Sequence, residues 1–260
     1  METVKEMRRI CQTNRESTIY QFNWMDRNIL RKLSIYIVAL FLKLKITANM
    51  ATLLDFGFVL VAGILFAFAT PALWLTGIFF FFLYMLFDCV DGEIARYTMH
   101  KGKDNRPLGY GAILGGVVDW FTWPYLLACM SIGMFHVTGS IISIIFGFVA
   151  VIARIIYMDI GLMPYPFFHE KGMLSNMPGD GNASPESLVM RMGRVAFGAQ
   201  GFIVAVAITI VIDAFAIPDT VPAIVSTRLL YIGAFAFAAT IGIIIKLYGI
   251  SKHGARIQRI

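Results

Sequence analysis

Charge is scarce in this sequence. Asp, Glu, Lys and Arg make up only 15% of its 260 residues, while 58% are hydrophobic and 22 are Phe. A soluble domain needs more polar surface than that, so the composition excludes one and points to a polytopic membrane protein. Cysteine is scarce too. Cys11, Cys89 and Cys129 form no spaced set, so no disulfide framework is expected. The four His show no ligand spacing, and no internal repeat or low-complexity segment is present. Met1 to Arg15 is charged, and no short apolar core with a small-residue cleavage site follows, so no signal peptide is expected. The net charge of +6 needs no nucleic-acid partner, because membrane topology accounts for it.

Long apolar runs are abundant. Six are long enough to span a bilayer, near Asn49–Phe68, Leu73–Tyr97, Ala112–His136, Ser140–Gly161, Val195–Ile217 and Val221–Tyr248. Basic residues are partitioned among the connections: nine in the first 48 residues, four between the second and third runs, three between the fourth and fifth, and four near the C-terminus. With six spans, these 20 of 22 fall on one side, the exceptions being Arg154 and Arg228. The positive-inside rule then puts both termini in the cytosol. The opposite connections, around Pro71, Thr138 and Pro218, are very short. Leu33–Leu42 is apolar but too short to span, and Arg27, Arg31, Lys32, Lys43 and Lys45 flank it. An interfacial amphipathic helix fits this pattern, a seventh span being the alternative. The expected fold is therefore all-α: a cytosolic segment 1–26, an interfacial helix 27–48, a six-helix transmembrane domain 49–250 and a cytosolic tail 251–260. Met163–Glu186, rich in Pro, Gly and Asn, is expected to be a loop.

The second apolar run ends in Asp88-Cys89-Val90-Asp91-Gly92-Glu93-Ile94-Ala95-Arg96. Two Asp at i and i+3 share a helix face. A membrane helix tolerates such a pair where a cation neutralises it, and a hard divalent ion with oxygen ligands suits carboxylates. Gly92 leaves space for close approach of a ligand, and Arg96 lies where it can meet phosphate.

This stretch resembles the signature of the CDP-alcohol phosphotransferases, integral membrane enzymes of phospholipid synthesis. Their pattern is D-x2-D-G-x2-A-R, a spacer, then G-x3-D-x3-D. Asp88, Asp91, Gly92, Ala95 and Arg96 match its first half. Thr47-Ala48-Asn49-Met50-Ala51-Thr52 is similar to the family's T-P-N-x-x-T entry to the first span, with Ala48 in place of Pro. The resemblance implies six spans preceded by an interfacial helix, a homodimer, Mg²⁺ or Mn²⁺ as cofactor, a CDP-alcohol donor, an alcohol or polyol-phosphate acceptor, and a cytosolic active site in contact with membrane lipids. It implies metal binding by Asp88, Asp91 and Asp119, with Asp119 also as general base. Nucleotide or phosphate contacts fall to Asn49, Thr52, Gly92, Ala95 and Arg96.

The second half departs from the pattern. Fourteen residues separate Arg96 from Gly111, more than in the family. In one register Gly111 is the motif glycine, Gly115 replaces the third Asp and Asp119 is the last. In the other Gly115 is the motif glycine, Asp119 the third Asp, and Trp123 replaces the last. The first is favoured, since it needs the shorter insertion and Tyr110 to Leu114 reads like the family's run. Either way one carboxylate is missing. Glu93 can replace it only by reaching round the helix, since it lies two positions from Asp91. The loss leaves open a non-catalytic relative that binds lipid or nucleotide. A small transporter is a further alternative, which the short outer connections and the lack of paired broken helices disfavour.

Other polar residues have two readings each. Asn49 and Thr52 can bind nucleotide or cap a helix start. Arg154, within the fourth run, can reach an anionic acceptor, and Asp55 in the first is an intramembrane charge of the same kind. Arg191 and Arg194, one turn apart, can hold a phosphate or serve topology alone. Gly111, Gly115 and Gly116 can be ordinary helix-packing positions.

Overall fold

The structure is a computed structural model, and it describes residues 2–12, 24–102, 109–162, 199–215 and 227–257. Among these every element is helical: α1 (Val4–Gln12), a π turn (Asp26–Leu30), α2 (Arg31–Lys43), α3 (Ala48–Ala67), α4 (Pro71–His100), α5 (Gly109–Thr138), α6 (Ile141–Leu162), α7 (Ala199–Phe215) and α8 (Thr227–Ile257). Each apolar run of the sequence corresponds to one helix from α3 to α8. Three stretches are long and apolar enough to cross a membrane: Ala48–Ala67, Pro71–His100 and Thr227–Ile244. The protein is thus an all-helical membrane protein.

Local chemistry sets the boundaries. Thr47 caps α3, its Oγ1 accepting from the Met50 amide. Thr70 caps α4 in the same way, and Pro71 occupies the first helical position, where its missing N–H costs nothing. α2 ends in a Schellman motif: the Ile46 amide bonds the Phe41 carbonyl and the Lys45 amide that of Leu42. Lys45 supplies the left-handed residue at φ 57°, a position where glycine is usual. Only 68–70 join α3 to α4, and 139–140 join α5 to α6.

Two boundaries differ from the sequence expectation. The segment before residue 27 contains α1, whose Met7 and Cys11 are buried one turn apart against Ile35 of α2. The signal was present in Thr3-Val4-Lys5-Glu6, since the Glu6 amide bonds Thr3 Oγ1 as at the start of a capping box. At the other end α8 runs through Lys252 to Ile257, so no structural break falls at residue 250.

The chain divides into two compact units. One comprises the described parts of Met1–Ala62, Thr76–Asp119 and Gly181–Ala205. In it α2 packs Val38 and Phe41 against Ala51 of α3 and Val90 and Ile94 of α4. Leu33, Tyr36, Leu40 and Leu44 are exposed instead. Their spacing forms a second apolar stripe on or just beyond α2.

The other unit comprises the described parts of Gly63–Leu75, Trp120–Asp180 and Val206–Ile260. Here α6 packs along α8, and glycines let helices approach. Arg228 is buried, bonded to Asp213 at 2.5 Å and to the Ala69 carbonyl at 2.7 Å, with its guanidinium 5.1 Å from the Trp74 ring centre. Arg228, one of the two basic residues that depart from the charge partition, is therefore neutralised in place.

Candidate metal centre

The acidic motif lies in the C-terminal part of α4, within the first unit. Tyr84, Asp88 and Asp91 follow one helical stripe. On α3 a buried stripe runs through Ala51, Thr52, Asp55, Val59 and Ala62. The two meet through Thr52, whose hydroxyl donates to Asp91 Oδ2 at 2.6 Å. One turn further along α3, Asp55 is 2% exposed. Its carboxylate converges with those of Asp88 and Asp91, one oxygen of each within 4.8 Å of the others.

Three carboxylates so close repel strongly. At an effective dielectric of about 20, each pair of unit charges at that separation costs about 3 kcal/mol or more. Asp55 Oδ1 is buried and has no hydrogen-bond partner, which adds the cost of an unsatisfied group. An oxygen-seeking divalent cation removes both penalties at once, so the donor set fits Mg²⁺ or Mn²⁺.

Asp119 of α5 lies near this group, close enough for its charge to act on Asp55, Asp88 and Asp91. It is not one of the three convergent carboxylates. Its Oδ1 accepts from the Tyr84 hydroxyl at 2.6 Å, which fixes its orientation. A Cβ at Gly115, one turn before it, would meet nothing within 4 Å, and the same holds at Gly116. Neither is a close helix-packing position, so Gly115 leaves open space. Gly111 lies within α5, but its surroundings fall outside the described residues.

A cavity of about 360 Å³ is lined by Asp26, Arg31, Tyr84, Asp88, Asp91 and Arg96, among others. It thus carries both cation-binding and anion-binding groups. Gly92 also lines it, but the space it frees is used within the protein: a Cβ there would lie 3.2 Å from Arg96 Nη1. Arg96 Nε donates to the Cys11 carbonyl at 2.7 Å, so α1 holds the motif arginine at the cavity wall. Arg31 is held between Asp26 Oδ1 at 3.4 Å and Glu93 Oε1 at 3.2 Å.

Glu93 does not face the carboxylate group. It is fully buried, receiving Gln12 Nε2 and Ser34 Oγ at 2.8 and 2.9 Å as well as Arg31. The idea that it replaces the missing signature carboxylate is corrected by this network, which ties α1 and α2 to α4. Beyond the membrane helix, Glu2 pairs with Lys101 and Tyr97, contacts that hold its carboxyl below the usual range. Burial, reinforced by the charge of Glu93, pushes the Cys11 thiol up to about 11. All three cysteines are free thiols.

The remaining expected residues are more dispersed. Thr52 orients Asp91 and Thr47 is the cap. Asn49 is half-buried in the first turn of α3, and Ala95 is half-buried on α4. In the second unit, Arg154 stacks over Trp123, its guanidinium 4.8 Å from the ring centre. Trp123, where the second register places the lost carboxylate, is buried and stacked on Phe235. Arg191 and Arg194 lie outside the described residues. Sequence reasoning gave Asp55 no metal role. Its signal was its spacing of three from Thr52, itself set by the T-P-N-x-x-T-like entry.

No family model matches the chain, and none of the curated proteins matches it in sequence.

Proposed function

We propose that this protein is a membrane transferase that moves a substituted phosphoryl group from a CDP-alcohol, such as CDP-diacylglycerol, to an alcohol hydroxyl, with release of CMP. The observation that carries this is the cavity lined by Asp88, Asp91, Gly92 and Arg96, all in matching signature positions, together with Arg31. Asp88 and Asp91 would hold the divalent ion. When bound, that ion offsets charge on the pyrophosphate and on the leaving group. Arg96 and Arg31 supply further positive charge to phosphate oxygens. Thr52 keeps Asp91 oriented. Asp119, positioned by Tyr84, takes the proton from the acceptor hydroxyl. The acceptor oxygen then bonds to phosphorus, and the bond from phosphorus to the CMP oxygen breaks.

The six helices α3 to α8 each cross the membrane in this proposal, with α2 on the cytosolic leaflet and both termini in the cytosol. The active protein is a homodimer. A cysteine introduced at Lys101 should be labelled from the cytosolic side only, and labelling from outside would overturn this orientation.

The decisive test is a screen of CDP-alcohols and acceptors, including polyol phosphates, with purified protein and Mn²⁺, read out as CMP. Metal-dependent release with at least one pair is expected. Absence of release with every donor would favour a second reading, a non-catalytic nucleotide- or lipid-binding relative. The open space at Gly115 is the observation that favours it.

A further inference from the structure

We infer that Asp55 of α3 is a direct ligand of the divalent ion and replaces the carboxylate lost at Gly115, so that the ion sits between α3 and α4 while Asp119 stays off it. This rests on the metal-dependent reading above and adds a ligand that the signature does not contain.

Two independent observations carry it. Asp55 converges with Asp88 and Asp91 to within 4.8 Å. Its Oδ1 is buried with no hydrogen-bond partner, in a residue only 2% exposed. A buried carboxylate oxygen without a donor is costly, and a bound cation removes that cost. Asp119 differs on both counts. It is more exposed, and its Oδ1 already receives the Tyr84 hydroxyl. An anionic ligand on α3 restores the count of carboxylates near the ion, and Asp119 remains available to take a proton. The class of ligand is a hard divalent cation of the Mg²⁺ or Mn²⁺ type.

The test is Mn²⁺ binding to the purified full-length protein in detergent, followed by the electron paramagnetic resonance of free Mn²⁺ and by Mg²⁺-dependent thermal stabilisation. Asp55→Asn should weaken Mn²⁺ by more than the roughly 10- to 100-fold that losing a supporting partner costs. Without metal it should melt higher than wild type, because repulsion is relieved, and Mg²⁺ should no longer stabilise it. Asp55→Asn combined with Gly115→Asp should recover most of the affinity, since space for the new side chain exists. Asp119→Asn should change Mn²⁺ affinity by no more than a few-fold.

Wild-type Mn²⁺ affinity in Asp55→Asn, or loss of affinity in Asp119→Asn as large as in Asp88→Asn, would overturn the assignment. Should Asp55→Asn fail to fold, Gly115→Asp alone still decides. Little gain is expected if Asp55 already completes the set, and a gain of about tenfold or more would mean that the set was incomplete. Asp55-dependent metal binding without CMP release from any donor would sustain the ligand assignment and remove the transferase. Metal-dependent CMP release with unchanged binding in Asp55→Asn would do the reverse.

Discussion

At Gly115 and Gly116, in the unit that carries the acidic residues, a Cβ would meet nothing within 4 Å. At Gly133 in the other unit it would lie 2.3 Å from the Phe66 carbonyl oxygen, and at Gly147 it would lie 1.8 Å from Ser131 Oγ. Gly63 and Gly233 are crowded in the same way, by Tyr125 and Phe146. The charged residues of the two units differ in parallel. Arg228 and Asp213 satisfy each other in the second unit. In the first, Asp55, Asp88 and Asp91 crowd together, and Asp55 Oδ1 has no partner. The second unit pairs Arg228 with Asp213 and packs several helical glycines closely, and the first keeps open space at Gly115 beside three crowded carboxylates. Uncompensated charge beside open space is what a protein retains when a ligand is to complete it.

The largest expected effect falls in the first unit. Asp88→Asn removes an anionic ligand of the ion and should lower Mn²⁺ affinity and CMP release by more than about 100-fold. Chelation of metal from the wild type should have the same effect on CMP release, reversed by adding Mn²⁺. Calorimetry showing wild-type metal affinity in this variant would remove the proposed centre.

Next comes the second unit. Asp213→Ala leaves Arg228 buried without its carboxylate and takes an acceptor from Thr227. It should cost about 3–5 kcal/mol of stability, measured as unfolding in detergent, with Mn²⁺ affinity unchanged among molecules that remain folded. Gly133→Ala presses a methyl group on a backbone carbonyl that cannot swing aside, and should cost up to about 3 kcal/mol. If it were neutral, the contrast between the two sets of glycines would fail.

Gly115→Ala is the matching control. With open space around it, it should be neutral or stabilising by up to about 1 kcal/mol through helix propensity. A loss as large as that at Gly133 would show that the space is needed by something larger than a methyl group.

The smallest effect concerns reactivity at the N-terminal helix. Cys11 is 1% exposed, and its thiol titrates near 11 rather than at its ordinary value. The thiolate is the reactive form, so alkylation of Cys11 should stay slow at pH 8 and rise only as pH approaches 11. Rapid labelling at pH 8 would mean that α1 leaves its seat on α2 and α4.

Much of this was legible in the sequence. Each apolar run coincides with a helix from α3 to α8, and three described stretches are long and apolar enough to cross a membrane. The spacing of Asp88 and Asp91 put both on one face, since helix geometry is local. The opposite direction of Glu93 followed from the same rule. α1 was not expected, because a charged, mostly polar helix gives no hydropathy signal, although the capping pattern of Thr3 and Glu6 was there to find. The roles of two residues were decided only by packing. Asp55 meets Asp91 because the stripe on α3 that carries Thr52 lies against α4, where Thr52 bonds Asp91 across 39 positions of sequence. Gly115 is open while Gly133 is crowded, although the two belong to the same helix. Sequence by itself determined which apolar segments are helices and which faces carry charge, because those follow from backbone geometry and transfer energy. Only the tertiary structure decided which carboxylates converge and which glycines leave room, because both depend on distances between helices that no local pattern encodes.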